Sequence, residues 1–382
     1  MTQLKYILSD IRHNKRGFVI FVLQISVAAL LISFRIFHIM TLFAGLEAIN
    51  GLQTENAYIV KDSTPSAYIN ENYDNPAVGE FFKDFEAIDG KTIWSFGYPL
   101  PGENSYITKR FISDGFLDMY GLSVESGRTL QAEDFSWSLG NPIPILAGYE
   151  LKAQYRIGEN YTFVAGDNGE DVQAVVVGFL EKGASYPSFS QVGMVNGLDH
   201  ALIIPASETF MDRFFTYPDF HSAILGSILF PNDPADLSNA ARTAAENGLF
   251  VVSPMTIQKS VNDYLDYMLP SIYLQLTTAA IVLLFACLGM GTHMVVLVNQ
   301  LKRNFSIHLI CGARKHHLVF RLVGQVAIAI AVGCLPCLAV RGVSQNIGYV
   351  LLLMLAITLL TVFPSLLTFN SLNLTQWARR NN

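Results

Sequence analysis

No cysteine occurs before Cys287; the four in the chain are Cys287, Cys311, Cys334 and Cys337. The long segment upstream must therefore be held together by its own core, without disulfides. Acidic residues are missing from both ends: Asp10 is the only one before Glu47, and none follows Asp266. Charged residues of both signs make up only 15% of the 382, against 51% hydrophobic, which excludes an ordinary soluble protein. There is no G-x-x-x-x-G-K-[ST] sequence, so the chain has no such cradle for nucleotide phosphates. The many Ser and Asp residues of the middle come with no nucleophile–base signature.

What is present is sharply sorted. Between Leu46 and Pro270 lie 30 of the 31 acidic residues and 12 of the 25 Lys and Arg, a net charge of about −18 on that segment. The flanks carry 13 basic residues and one acid, and they hold the long apolar runs. The middle reads as an acidic aqueous domain, which repels nucleic acid, and the ends as membrane segments.

The expected fold is a membrane protein with four transmembrane α-helices plus a large extracytoplasmic α+β domain. Residues 1–16 form a cytoplasmic amphipathic stretch, with Leu4, Ile7, Leu8 and Ile11 at helical spacing on the inner membrane surface. The first span occupies 17–45 and reads as an uncleaved anchor. The extracytoplasmic domain follows at 46–269, the second span at 270–298 and a cytoplasmic loop at 299–317. The third span is expected at 318–340, an outer loop at 341–346, the fourth span at 347–369 and a cytoplasmic C-terminus at 370–382. Excess Lys and Arg keep the 299–317 loop and both termini inside the cell.

Within the outer domain the spacing predicts two β-α-β units far apart in sequence. The first is a strand at Ala57–Lys61, a helix at Pro76–Asp89 capped by Asn75, and a strand at Ile93–Tyr98. The second is a strand at Ser222–Phe230, a helix at Pro234–Glu246 capped by Asp233, and a strand at Leu249–Ser253. Together they suggest an α/β subdomain interrupted by a β-rich insertion at about 110–205, with strands at Ile143–Ala147, Tyr161–Ala165, Val172–Leu180 and Ala201–Ile204.

The basic loop carries the most information. Lys302, Arg303, Arg314, Lys315 and Arg321 stand there without an acid, yet Phe305, Ile307, Leu309 and Ile310 add apolar groups that solvation alone would disfavour. An amphipathic turn laid into a partner's groove explains them, as would a helix resting on lipid. The run Leu301–Leu322, LKRNFSIHLICGARKHHLVFRL, resembles the loop of MacB/FtsX-type ABC transporter permeases, the type VII or mechanotransmission transporters, which reads approximately RRREIGILRALGASRRQIFRL. Arg303, Ile307, Gly312, Ala313, Phe320, Arg321 and Leu322 match; Asn304 replaces the usual acid and Leu309 a usual basic residue. Phe116–Phe135 resembles the family's periplasmic core domain through Gly127, Arg128 and Glu133-Asp134-Phe135, as do Val175–Leu180 and Leu202–Pro205.

The resemblance implies a non-catalytic permease subunit in the bacterial cytoplasmic membrane. Its partners would be a separate ABC ATPase, which binds ATP and Mg, a second permease chain (identical or related) and, in some members, an extracytoplasmic adaptor. The chain itself is expected to hold no cofactor and no metal. Arg303, Phe305, Ile307, Leu309, Ile310, Gly312 and Ala313 become the candidate ATPase-coupling residues. Export or extraction of a peptide, lipoprotein or drug-like substrate is one implied activity; FtsX-like control of an envelope hydrolase or of an antimicrobial-peptide response is the other. Three further features read as packing: Cys334 and Cys337 beside a proline kink, His293 inside a span, and Gly289 with Gly291 at a close helix contact. His308, Cys311, His316 and His317 fit no standard zinc spacing.

Overall fold

The computed structural model of the chain describes residues 2–50, 56–100, 107–138, 140–165, 170–189, 194–312, 314–341 and 348–356. They form two compact units, one made of Met1–Met40 with Met268–Asn382 and the other of Thr41–Tyr267.

The unit of Thr41–Tyr267 is a mixed α/β domain. Its strands are β1 (Tyr58–Asp62), β2 (Gly90–Pro99), β3 (Thr108–Ile112), β4 (Val124–Gly127), β5 (Ile143–Ala147) and β6 (Asn160–Ala165). They continue as β7 (Glu170–Leu180), β8 (Ser185–Pro187), β9 (Val195–Gly197), β10 (Ala201–Pro205), β11 (Ser227–Pro231) and β12 (Val252–Thr256). The helices of the chain, in order, begin with α1 (Thr2–His13), α2 (Lys15–Asn50), α3 (Ser66–Glu71), α4 (Pro76–Glu86), α5 (Phe116–Met119) and α6 (Glu208–Phe214). They continue with α7 (Tyr217–Leu225), α8 (Pro234–Glu246), α9 (Ile257–Ile310), α10 (Lys315–Gly333) and α11 (Leu335–Arg341).

Ten of the described strands share one sheet, in the order β12-β1-β11-β2-β3-β10-β5-β7-β4 with β6 paired to β7. The first four are all antiparallel neighbours. Strands β1 and β2 thus run parallel on either side of β11, and β11 and β12 on either side of β1. With α4 joining β1 to β2 and α8 joining β11 to β12, the two predicted units interleave into a split βαββαβ arrangement. The insertion is continuous with it, because β2 serves both halves. Its residues Gly90–Trp94 pair with β11, and Ser95–Pro99 pair with β3. Beyond β3 the sheet turns mixed, with parallel pairs β3–β10 and β5–β7.

The core explains why. On one face α4 lays Phe81, Phe82 and Phe85 against Trp94, Phe220 and Phe250, and the same cluster runs on through Phe96, Phe111, Ile145, Phe163 and Val176 of the insertion. One apolar body therefore covers both halves, and neither could be cut away without exposing it. Asn75 and Asp233 cap α4 and α8 as expected, accepting from the N–H of Ala77 at 3.1 Å and of Ala235 at 2.8 Å.

One expected strand, Ser222–Phe230, is corrected. Its first part completes α7, which starts at a Thr216–Asp219 capping box and ends at Gly226, and only Ser227–Pro231 is extended. The run Ala223-Ile224-Leu225 looks like a strand because two of its residues are buried, but a buried helix end has the same composition. Similarly Leu249 and Phe250 are buried connection ahead of β12, which begins at Val252.

Among the described residues, three helical stretches are long and apolar enough to cross a membrane: Lys15–Met40, Ile257–Gln300 and His316–Ala339. A fourth span is not established. Residues 348–356 are helical, and the remainder of 347–369 lies outside the described residues. The third predicted span is broken at Cys334, where α10 ends and α11 begins beside Pro336. The 299–317 loop is shorter than expected, since α9 continues to Ile310 and α10 starts at Lys315.

Glu86 offers a check on the core of the Thr41–Tyr267 unit. The indole N–H of Trp94 donates to its carboxylate. Burial pushes its pKa above the ordinary value, the Trp94 hydrogen bond opposes that, and Glu208 adds to the rise. A raised carboxyl pKa means that the ionised group destabilises the fold above its unfolded pKa, and that the penalty fades as the pH falls. Glu86→Gln keeps an acceptor for Trp94 and removes the charge. Thermal unfolding should show it more stable than wild type at pH 7, with the advantage lost by about pH 4, near the unfolded glutamate value.

Candidate functional site

The basic turn is built from three parts. Helix α9 runs to Ile310, Cys311 and Gly312 make the turn, and Arg314 precedes α10. Gly312 sits at φ +89°, a conformation that a side chain disfavours, which explains a glycine at this point of the motif. Ala313 lies outside the described residues, as do the side chains of Arg303, Leu309 and Ile310.

Of the expected coupling side chains, two are described, and they part company. Ile307 is 51% exposed, in keeping with a surface for a partner. Phe305 is 0% exposed and belongs to the apolar cluster formed with Phe21, Leu297, Leu318 and Leu322. The expectation that Phe305 is an exposed docking group is therefore corrected: its ring is a packing element of its own unit. The two residues are neighbours but one, so a helix carries them to different faces.

Beneath the turn lies an arrangement that the sequence reading missed. Arg321 and Asp10 are 4% and 8% exposed and face each other in a two-pronged ion pair. Arg321 Nη2 lies 2.7 Å from both Asp10 oxygens, and Nε lies 3.1 Å from Oδ2. Gln325, also buried, donates to the same carboxylate at 3.1 Å. The guanidinium carbon lies 5.0 Å from the Tyr6 ring and 5.5 Å from the Phe305 ring. Tyr6 in turn meets His308 edge to face at 5.5 Å. Tyr6, Asp10, His308, Arg321 and Gln325 line a cavity of about 540 Å³ together with Ser9, His13, Asn14, Leu297 and Gln300. The signal was available: Asp10 is the only acid before Glu47, beside a long apolar run, and a lone acid near lipid needs a partner.

Helix α1 is seated through Ile7 of its expected apolar face and through Asp10 beside it. Ile7 and Asp10 are buried, while Leu4 and Leu8 stay exposed. Gly324 admits it, for a Cβ built there would come 2.5 Å from Ile7 Cδ1. The remaining features pack as expected: His293 stacks on Phe21 at 4.5 Å, Gly289 touches Gln24, and Cys334 and Cys337 are buried free thiols. Gly291 has open space where a Cβ would go, so no close contact forms there. Among the described residues no three His, Cys, Asp or Glu side chains group as a metal site.

The motif of Gly127, Arg128 and Glu133-Asp134-Phe135 is a lock on a turn. Gly127 has φ +87°, and a Cβ there would lie 2.3 Å from the Val177 carbonyl oxygen. Arg128 grips Asp134 with both terminal nitrogens, at 2.6 and 2.9 Å, and Asp134 also accepts from the Gln131 N–H at 2.8 Å. Leu130 and Phe135 enter the second core cluster alongside. Val175–Leu180 and Leu202–Pro205 fall in β7 and β10 of the sheet interior. All these signature residues specify fold.

No family model and no curated protein sequence matches the chain. Among solved structures, it is similar to the extracellular domain of the noncanonical ABC-type transporter YknZ from Gram-positive bacteria, at 14% identity and a TM-score of 0.32, over 52% of this chain and 100% of that one. It is also similar to the periplasmic region of MacB from Actinobacillus actinomycetemcomitans, at 13% identity and a TM-score of 0.35, over 58% of this chain and 98% of that one.

The lock predicts a pH signature. Burial works against the Asp134 charge, but the Arg128 pair and the Gln131 N–H outweigh it and hold the carboxyl below the usual range. A depressed carboxyl pKa stabilises the fold above the unfolded value and loses that effect as the pH falls through the folded one. Asp134→Asn should destabilise the unit of Thr41–Tyr267 at pH 7 by about 1 kcal/mol, the scale of a partly exposed, screened ion pair with its hydrogen bond. Thermal melts should show the difference from wild type shrinking below about pH 4.

Proposed function

We propose that this chain is the permease subunit of a MacB/FtsX-type ABC transporter and contains no ATPase of its own. The observation that carries this reading is the run Leu301–Leu322, an acid-free basic turn between two apolar helices, with the motif glycine at Gly312 in the left-handed region and the motif arginine, Arg321, ion-paired beneath it. A large acidic domain between the first two apolar helices supports the same reading. In this scheme a separate ATPase docks at the basic turn on the cytoplasmic side. Its nucleotide-driven closure moves the turns of two paired permease chains, and α9 carries the displacement towards the outer domain, which acts on an exported or extracted substrate. Sparse polar side chains in the apolar helices suit transmission of force better than a hydrophilic conduit.

Two measurements test it. In a background lacking the four native cysteines, Ser238→Cys should react with an impermeant thiol reagent in intact cells, and Asn304→Cys only after lysis. The reverse labelling would overturn the orientation. Ile307→Asp should leave membrane insertion intact and weaken co-purification of the ATPase by roughly 10- to 100-fold, the worth of one buried aliphatic side chain. Recovery of the ATPase at wild-type levels would remove Ile307 from the interface, and failure of wild type to recover any ATPase would defeat the reading itself.

A further inference from the structure

Helices α1, α9 and α10 converge on the guanidinium of Arg321: α1 brings Asp10 and Tyr6, α9 brings the Phe305 ring, and α10 brings Arg321 itself with Gln325 one turn on. A buried ion pair adds little net stability over an apolar replacement, but it is specific, because a two-pronged contact is met in only one alignment. Here the alignment is that of α1 on α10, and the Ile7–Gly324 contact fits the same register. Arg321 stands six residues into α10, about 9 Å along the helix from Lys315 at the basic turn. The pair also borders the 540 Å³ cavity, whose lining includes Ser9, His13, Asn14, Gln300 and His308. Polar groups and that much room let water reach the edge of the pair, which lowers the cost of burying its charges.

We propose that α1 is a working part of the coupling apparatus, clamped to the basic turn by Asp10 and Arg321. The clamp makes α1, the end of α9 and the start of α10 move as one body, so that a push on the turn also shifts the N-terminal helix. Asp10 and Arg321 are positioning residues, and no contact with the ATPase is assigned to them. This inference rests on the reading of the chain as a permease subunit.

The experiment uses the full-length chain purified with its ATPase, and two readouts. The first is disulfide formation between Ile7→Cys and Gly324→Cys in a background without the native cysteines, which reports whether α1 is seated. The second is permease-dependent stimulation of ATP hydrolysis, read as kcat and KM alongside ATPase co-purification. Asp10→Asn should slow cross-linking at least tenfold and cut the stimulated kcat at least fivefold, with KM for ATP and ATPase recovery near wild type. Asp10→Glu, and the exchange Asp10→Arg with Arg321→Asp, should each restore much of both. Wild-type cross-linking in Asp10→Asn would overturn the clamp. So would loss of kcat only in proportion to lost ATPase binding, since that is what a merely structural role produces. If the wild-type chain recovers no ATPase, the permease reading falls, and the cross-linking arm alone decides whether Asp10 seats α1.

Discussion

A charged side chain is costly in hydrocarbon and solvated at little cost in water, and this constraint sorts the whole chain. Thirty of the 31 acids lie between Leu46 and Pro270, in the unit with its own sheet and aromatic core. The remaining one, Asp10, accompanies the apolar helices and is buried against Arg321, with Gln325 completing its hydrogen bonds. Without a partner either charge would be unfavourable there; paired, the two fix how α1 lies on α10.

The outer unit answers a different constraint, that a sheet must cover its apolar faces. Interleaving two β-α-β units leaves β2 with a second half, Ser95–Pro99, and the insertion completes its pairing through β3. The aromatic cluster from Phe82 through Phe96 to Phe111 crosses that junction without a gap, with ring centroids 5.6, 6.0 and 5.4 Å apart along Phe82–Trp94–Phe96–Phe111. No disulfide is needed where one core of this size spans both halves.

Family-like motifs do not all mean the same thing. Gly127, Arg128 and Asp134 lock a tight turn against β7, which is a matter of stability. Gly312 likewise answers a backbone need. Arg321 is different: its partner is 311 residues away in sequence, and nothing local requires it. It ties together helices that lie far apart in the sequence.

The sequence by itself determined the segregation of charge, the apolar helices, the capped helices α4 and α8, and the strands β5, β6, β7 and β10. Each of these depends on periodicity or on a local hydrogen bond, which a string of residues displays directly. It misread Ser222–Phe230, because buried helix and buried strand share a composition, and it offered Phe305 as a docking group, because an apolar residue in a basic segment is equally consistent with either side of a helix. Only the tertiary structure decided that Phe305 faces inward, that Ile307 faces outward, that β2 belongs to both halves of the sheet, and that Asp10 meets Arg321. Those are contacts between residues far apart in the chain, and no local pattern encodes which of many possible partners a side chain will reach.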